Sequence, residues 1–211
     1  LRNSTYHGPC RFINQINSSI SVSGIRCLNE FPTIVRYNDA VSIIRKIFAQ
    51  RTFAPLASIV SSISPFALPT TVRGHACKEN DDVKLYSSKS TSFIAKRQIT
   101  KGLEWFGKYK VLVSQTGAEH ALEPSNNGSY KVLSSSMNVL EKNDVCTHSY
   151  ILVGKFDEAS EAKNLYNYLH TKFLRFLTLQ SVSSIHISRA TFAFVPLQDF
   201  TPSSDIDWTQ S

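Results

Sequence analysis

Between Ala162 and Leu177, seven apolar side chains (Ala162, Leu165, Tyr166, Leu169, Phe173, Phe176 and Leu177) recur at helical spacing. On a 3.6-residue repeat they form one continuous stripe. Asp157 is a capping residue type, and Glu158 and Glu161 suit the positive end of a helix. The spacing predicts one long amphipathic helix over 158–180. Its stripe must be buried, either within the chain or on a partner.

The rest of the chain reads differently. Alternation at Cys10–Asn14 and Ile20–Leu28, with a polar turn between, predicts a hairpin, and Phe31–Arg36 a third extended stretch. Ala40, Ile43, Ile44, Ile47 and Phe48 behind Asn38 or Asp39 predict a helix, and Pro55 opens a shorter one carrying Leu56, Ile59, Val60 and Ile63. Short β-type runs follow at 83–86, 92–95, 109–113, 130–133 and 150–153, and a last one at 191–195. The class expected is α+β: a mixed, mostly antiparallel sheet with a long amphipathic C-terminal helix and two shorter helices.

Charge is uneven along the chain. Residues 84–110 carry Lys84, Lys89, Lys96, Arg97, Lys101, Lys108 and Lys110 against Glu104 alone, a net +6, interleaved with aromatics. Residues 111–211 are net −3. A local excess of this kind is the electrostatic footprint of a polyanion-binding surface. No apolar run reaches the length of a membrane span, and the four separated cysteines form no C-x-x-C pair, which fits a reducing cytoplasm. Opening at Leu1 with the single methionine Met137, the sequence reads as a piece of a longer protein.

No phosphate-binding glycine loop and no G-x-S-x-G elbow is present. His75-x-Cys77 and Cys146-x-His148 total four zinc-type ligands, but one-residue spacing is atypical of structural zinc, so no metal site is expected. Asp82-x-Lys84 and Asp157 with Glu161-x-Lys163 imitate nuclease carboxylate sets, the latter on the first turns of an amphipathic helix. No catalytic residue is assigned.

Several strings, in order, resemble the C-terminal region of bacterial type II restriction–modification adenine-specific DNA methyltransferases, including fused methylase–endonuclease forms. They are His7-Gly8-Pro9-Cys10-Arg11-Phe12-Ile13, Pro65-Phe66-Ala67-Leu68-Pro69-Thr70 and Tyr109-Lys110-Val111-Leu112. Further on come Ser149-Tyr150-Ile151-Leu152-Val153-Gly154-Lys155-Phe156, Thr171-Lys172-Phe173-Leu174-Arg175-Phe176-Leu177, and Val195-Pro196-Leu197-Gln198-Asp199-Phe200 with Ile206-Asp207-Trp208. Ala67 stands where the family pattern P-F-G has glycine. The family's N-P-P-Y and cofactor-binding glycine motifs are not in this chain, and the resemblance places them upstream of Leu1.

The resemblance implies that residues 1–36 are the last hairpin of an upstream methyltransferase domain. Residues 37–211 are then a target-recognition domain that grips double-stranded DNA while the adenine is flipped into the catalytic pocket. No cofactor is expected in this segment, and S-adenosylmethionine is expected for the parent enzyme. Lys84, Lys89, Lys96, Arg97, Lys101, Lys108, Lys110, Lys172 and Arg175 are candidate phosphate contacts. Gln115, Thr116 and His120, in the loop after the strand at 109–113, are candidate base contacts. The alternative is a protein-interaction module that docks through the 158–180 helix.

Overall fold

Residues that alternate in sequence pair at the start of the chain: β1 (Pro9–Gln15) and β2 (Ser21–Cys27) form an antiparallel hairpin. The structure, a computed structural model, describes residues 8–15, 21–117, 132–133, 136–182, 184 and 186–209. Asn38 fastens the hairpin to the body, its Nδ2 donating to Phe12 O at 3.0 Å and Val22 O at 3.1 Å. The stretch 31–36 is not a strand. Its polar backbone is satisfied otherwise: Val35 O accepts from the Arg26 guanidinium, and Arg36 N donates to Gln180 O.

Helix α1 (Val41–Phe48) forms as the spacing predicts, burying Val41, Ile44 and Ile47. The helix predicted from Pro55 is only a 3-10 turn, Leu56–Ile59. Val60 leaves it to bridge Val153, and Ser61 bonds both backbone groups of Leu152.

Two three-stranded sheets follow. In one, β3 (Asp82–Tyr86) lies between antiparallel β4 (Thr91–Ala95) and parallel β7 (Val145–Cys146). In the other, β5 (Tyr109–Ser114) lies between β6 (Met137–Leu140) and β8 (Tyr150–Phe156), antiparallel to both. The fold is therefore α+β with mostly antiparallel sheets. Of the run predicted at 130–133, Val132 and Leu133 are buried but not in a strand, and Tyr130 and Lys131 lie outside the described residues.

The second sheet is a middle layer, buried on both faces. Val111, Val113, Ile151 and Val153 meet the helices in one core, while Leu112 and Leu152 meet Phe66, Val83, Leu85 and Ile94 in another. Successive residues point to opposite faces, so both cores draw on the same two strands.

The predicted 158–180 helix is two helices, α2 (Ala159–His170) and α3 (Lys172–Ser181). At the break Thr171 is extended, with ψ 147°, and its hydroxyl accepts from Leu174 N to cap α3. A side chain that can cap its own backbone competes with helix continuation. The break shifts the register of the predicted stripe: Ala162, Leu165, Leu169 and Leu177 are buried in the chain's own core, but Phe173 is 45% exposed and Leu174, outside the stripe, is buried in its place. The run predicted as a strand at 191–195 is instead the end of a 3-10 turn, Arg189–Phe192, held by a reciprocal cap between Ser188 and Thr191, and a further turn after it. Among the described residues no helix is long and apolar enough to cross a membrane.

The loop between Pro65 and Pro69 buries Phe66 and Leu68 and leaves Ala67 exposed in the left-handed region, with φ 53°. A β-carbon is disfavoured in that conformation, whereas glycine adopts it freely. Ala67→Gly is expected to stabilise the chain by about 0.5–1 kcal/mol, because the exposed methyl contributes no burial and its removal relieves the strain. Urea unfolding checks this; a lower midpoint would show that Ala67 is not strained.

Candidate nucleic-acid interface

The turn entering β5 carries Trp105 and Phe106, the strand opens on Tyr109, and cations from three other segments stand over these rings. Lys96, from the 3-10 turn Lys96–Gln98 after β4, lies 5.5 Å from the Phe106 ring. Lys142, from the turn between β6 and β7, lies 5.1 Å from Tyr109, and Lys155 of β8 lies 5.2 Å from Trp105. All three lysines are exposed. Each ammonium is attracted to a ring face yet keeps its outer side for solvent or an anion.

Local backbone geometry aims these groups. Tyr109 pairs with Phe156 and Val111 with Val153, so Gly154 and Lys155 together oppose Lys110 in a β-bulge. Gly154 is in the left-handed conformation, with φ 70°. A bulge of this kind bends its strand and re-aims a side chain. Gly107 N donates to Lys142 O and joins the two turns.

Beside Lys96, an open cleft of about 560 Å³ is lined by Lys96, Arg97, Asn80, Asp81, Leu103 and Phe106, among others. Arg97 and Lys101 are exposed. Lys108 is half-buried, and its Nζ lies 2.5 Å from Asp157 Oδ1, so much of its charge is spent. That ammonium holds the Asp157 carboxyl below its ordinary range.

Lys110 does not belong to this surface. It shares the Leu112 face of β5 and is 0% exposed. Its Nζ donates to Lys108 O at 3.0 Å and to Glu141 O and Lys142 O at 2.9 Å each. The phosphate contact expected of it is ruled out by burial. Lys110 instead pins together the turns that present Lys108 and Lys142. Desolvation lowers its pKa from 10.5 to about 8.

The other candidates are spread over the molecule. Lys84 is half-buried in β3, 5.2 Å from the Tyr86 ring. Lys89 is exposed in the β3–β4 turn, at the opposite end of that hairpin from Lys96. Gln115 and Thr116 follow the far end of β5, roughly 17–20 Å from Tyr109 for a six-residue strand. The Gln115 amide donates to Tyr150 O at 3.3 Å, a bond that competes with a bidentate grip on adenine. Thr116 is exposed, and His120 lies outside the described residues. Lys172 and Arg175 are exposed on α3, in the helical layer, with the middle sheet between them and the Lys96 group.

Lys142 and Lys155 are absent from the sequence-based set, since both fall outside the basic block. The signal for Lys155 was Gly154, an isolated glycine in a strand pattern, which marks a bulge. The four residues of the paired Cys/His strings do not converge: Cys146 pairs with Tyr86 at one end of β3, while His75 contacts Asp82 at the other. Burial pushes the Cys146 thiol far up. Compared with protein families, curated proteins and solved structures, the chain matches none.

Proposed function

We infer that this chain is the DNA-reading region of a restriction–modification adenine-N6 DNA methyltransferase. In this reading it acts in the bacterial cytoplasm on double-stranded DNA, beside an upstream domain that binds S-adenosylmethionine and transfers the methyl group. The observation that carries the reading is the convergence of Lys96, Lys142 and Lys155 over one aromatic turn, with Arg97 and Lys101 exposed next to it. Cations on a rigid frame bind phosphate through counterion release, and phosphate contacts position a reader on the duplex. Against the docking alternative, Ala162, Leu165, Leu169 and Leu177 of the stripe are buried in the chain's own core, whereas Phe173 on α3 is exposed.

Fluorescence anisotropy with duplex DNA over a range of salt tests this. Binding is expected with a dissociation constant of about 10⁻⁴–10⁻⁶ M at physiological salt. Lys96→Ala, Lys142→Ala and Lys155→Ala should each lower the salt slope by about one unit. Lys172→Ala, across the sheet, should leave it unchanged. Binding that ignores salt, or a slope that none of the three substitutions alters, defeats the proposal.

A further inference from the structure

We propose that His75, Glu79 and Asp82 form a binding site for one divalent transition-metal ion of the zinc class, a clasp on the segment that wraps the end of β4. This does not rest on the DNA-reading proposal. His75 pairs with the outer edge of β4, exchanging two backbone hydrogen bonds of 3.0 Å with Phe93. Asp82 opens β3 on the inner edge, opposite Ala95. Phe93 and Ala95 lie two apart and share a face, so His75 and Asp82 face the same way across β4, with the small Ala95 side chain between them. Residues 76–81 cross the strand end to connect the two.

Three donor atoms gather there, one from each of His75, Glu79 and Asp82, all within 4.8 Å of one another. Bonds of about 2.0–2.2 Å to a tetrahedral ion put donors roughly 3.3–3.6 Å apart, so side-chain shifts of about 1 Å suffice. The Asp82 side chain is 4% exposed and already aimed: its Oδ2 lies 2.5 Å from His75 Nε2 and accepts from Glu79 N at 2.9 Å. The imidazole is 43% exposed, which leaves room for water as a fourth ligand. One imidazole with two carboxylates favours zinc or manganese over magnesium, which prefers all-oxygen octahedra. The two carboxylates balance the ion's charge. Cys77, exposed in the same segment, is outside the group of three.

The clasp bears on its neighbours. Asp81 O accepts from Lys96 N, and Asn80 and Asp81 line the cleft beside Lys96 and Arg97. Fixing residues 75–82 therefore fixes one wall of that cleft.

Calorimetric titration of Zn²⁺ alone into the full chain is expected to show one ion per chain. His75→Gln and Glu79→Gln, which keep polar side chains, should each weaken binding at least tenfold, about what loss of even an outer-shell partner costs. Cys77→Ser should bind as the wild type does. Thermal melting gives a second reading: zinc should raise the midpoint of the wild type and Cys77→Ser, and not that of Glu79→Gln. Because Glu79 is exposed, its variant carries the test even where His75→Gln fails to fold. No saturable binding, indifference to Glu79→Gln, or loss with Cys77→Ser overturns the proposal.

Discussion

Lys110→Ala is expected to destabilise the fold by about 3–5 kcal/mol, the range for stripping the partner from a buried polar cluster. Three carbonyls lose their donor at once, on Lys108, Glu141 and Lys142, and a cavity opens beside Leu112 and Leu140. Lys110→Met keeps most of the volume and should recover only the cavity part. The residue also gives stability a pH dependence. Its pKa is about 8 in the folded chain against an ordinary 10.5. Between those values the unfolded chain holds the proton that the folded chain has released, so stability rises with pH across the window and is lost as pH falls through about 8. Urea unfolding at pH 7.5 and 9.5 should show this gain in the wild type and not in Lys110→Met. A cost for Lys110→Ala below about 1 kcal/mol, typical of a surface lysine, would place the ammonium in solvent.

Gly154→Ala is the second large effect, expected at about 3 kcal/mol from left-handed strain plus overpacking. The residue has φ 70°, and a β-carbon there would lie 2.3 Å from the Phe156 ring and 2.9 Å from Leu165 Cδ2. Relief by straightening the bulge would turn Lys155 away from Trp105. Loss of stability should therefore come with weaker DNA binding in the fraction that remains folded. Denaturant melts and anisotropy on the same variant check both; a neutral substitution would mean that β8 runs straight.

The opening hairpin was legible because one of its faces is exposed and alternation marks it. β5 was legible as a strand, but the orientation of its lysine was not. A strand buried on both faces shows no alternation, so nothing in Tyr109-Lys110-Val111-Leu112-Val113 says that Lys110 points into a core with Leu112. Local charge counting then assigned it to solvent. The break at Thr171 escaped because apolar residues keep helical spacing across it in the sequence, with Phe173 at the place in the pattern that the buried Leu174 takes in the fold. Lys142 and Lys155 escaped because the aromatic turn collects cations from segments 46 and 59 residues after Lys96, which no sequence window joins. The short β7 was invisible for a related reason: two residues carry no period, and only their pairing with β3 defines them.

That pairing bears on how the chain assembles. β3 and β4 are close in sequence and can meet early, but their third strand arrives about sixty residues later, after β5 and β6 have been made. Closing so long a loop is slow unless something else shortens it, and the antiparallel pairing of β5 with β6 does so. The chain's two tryptophans sit in different cores, Trp105 in the one between the sheets and Trp208 in the one under the helices. Replacing one tryptophan at a time would let the fluorescence of the other report on its own core during folding.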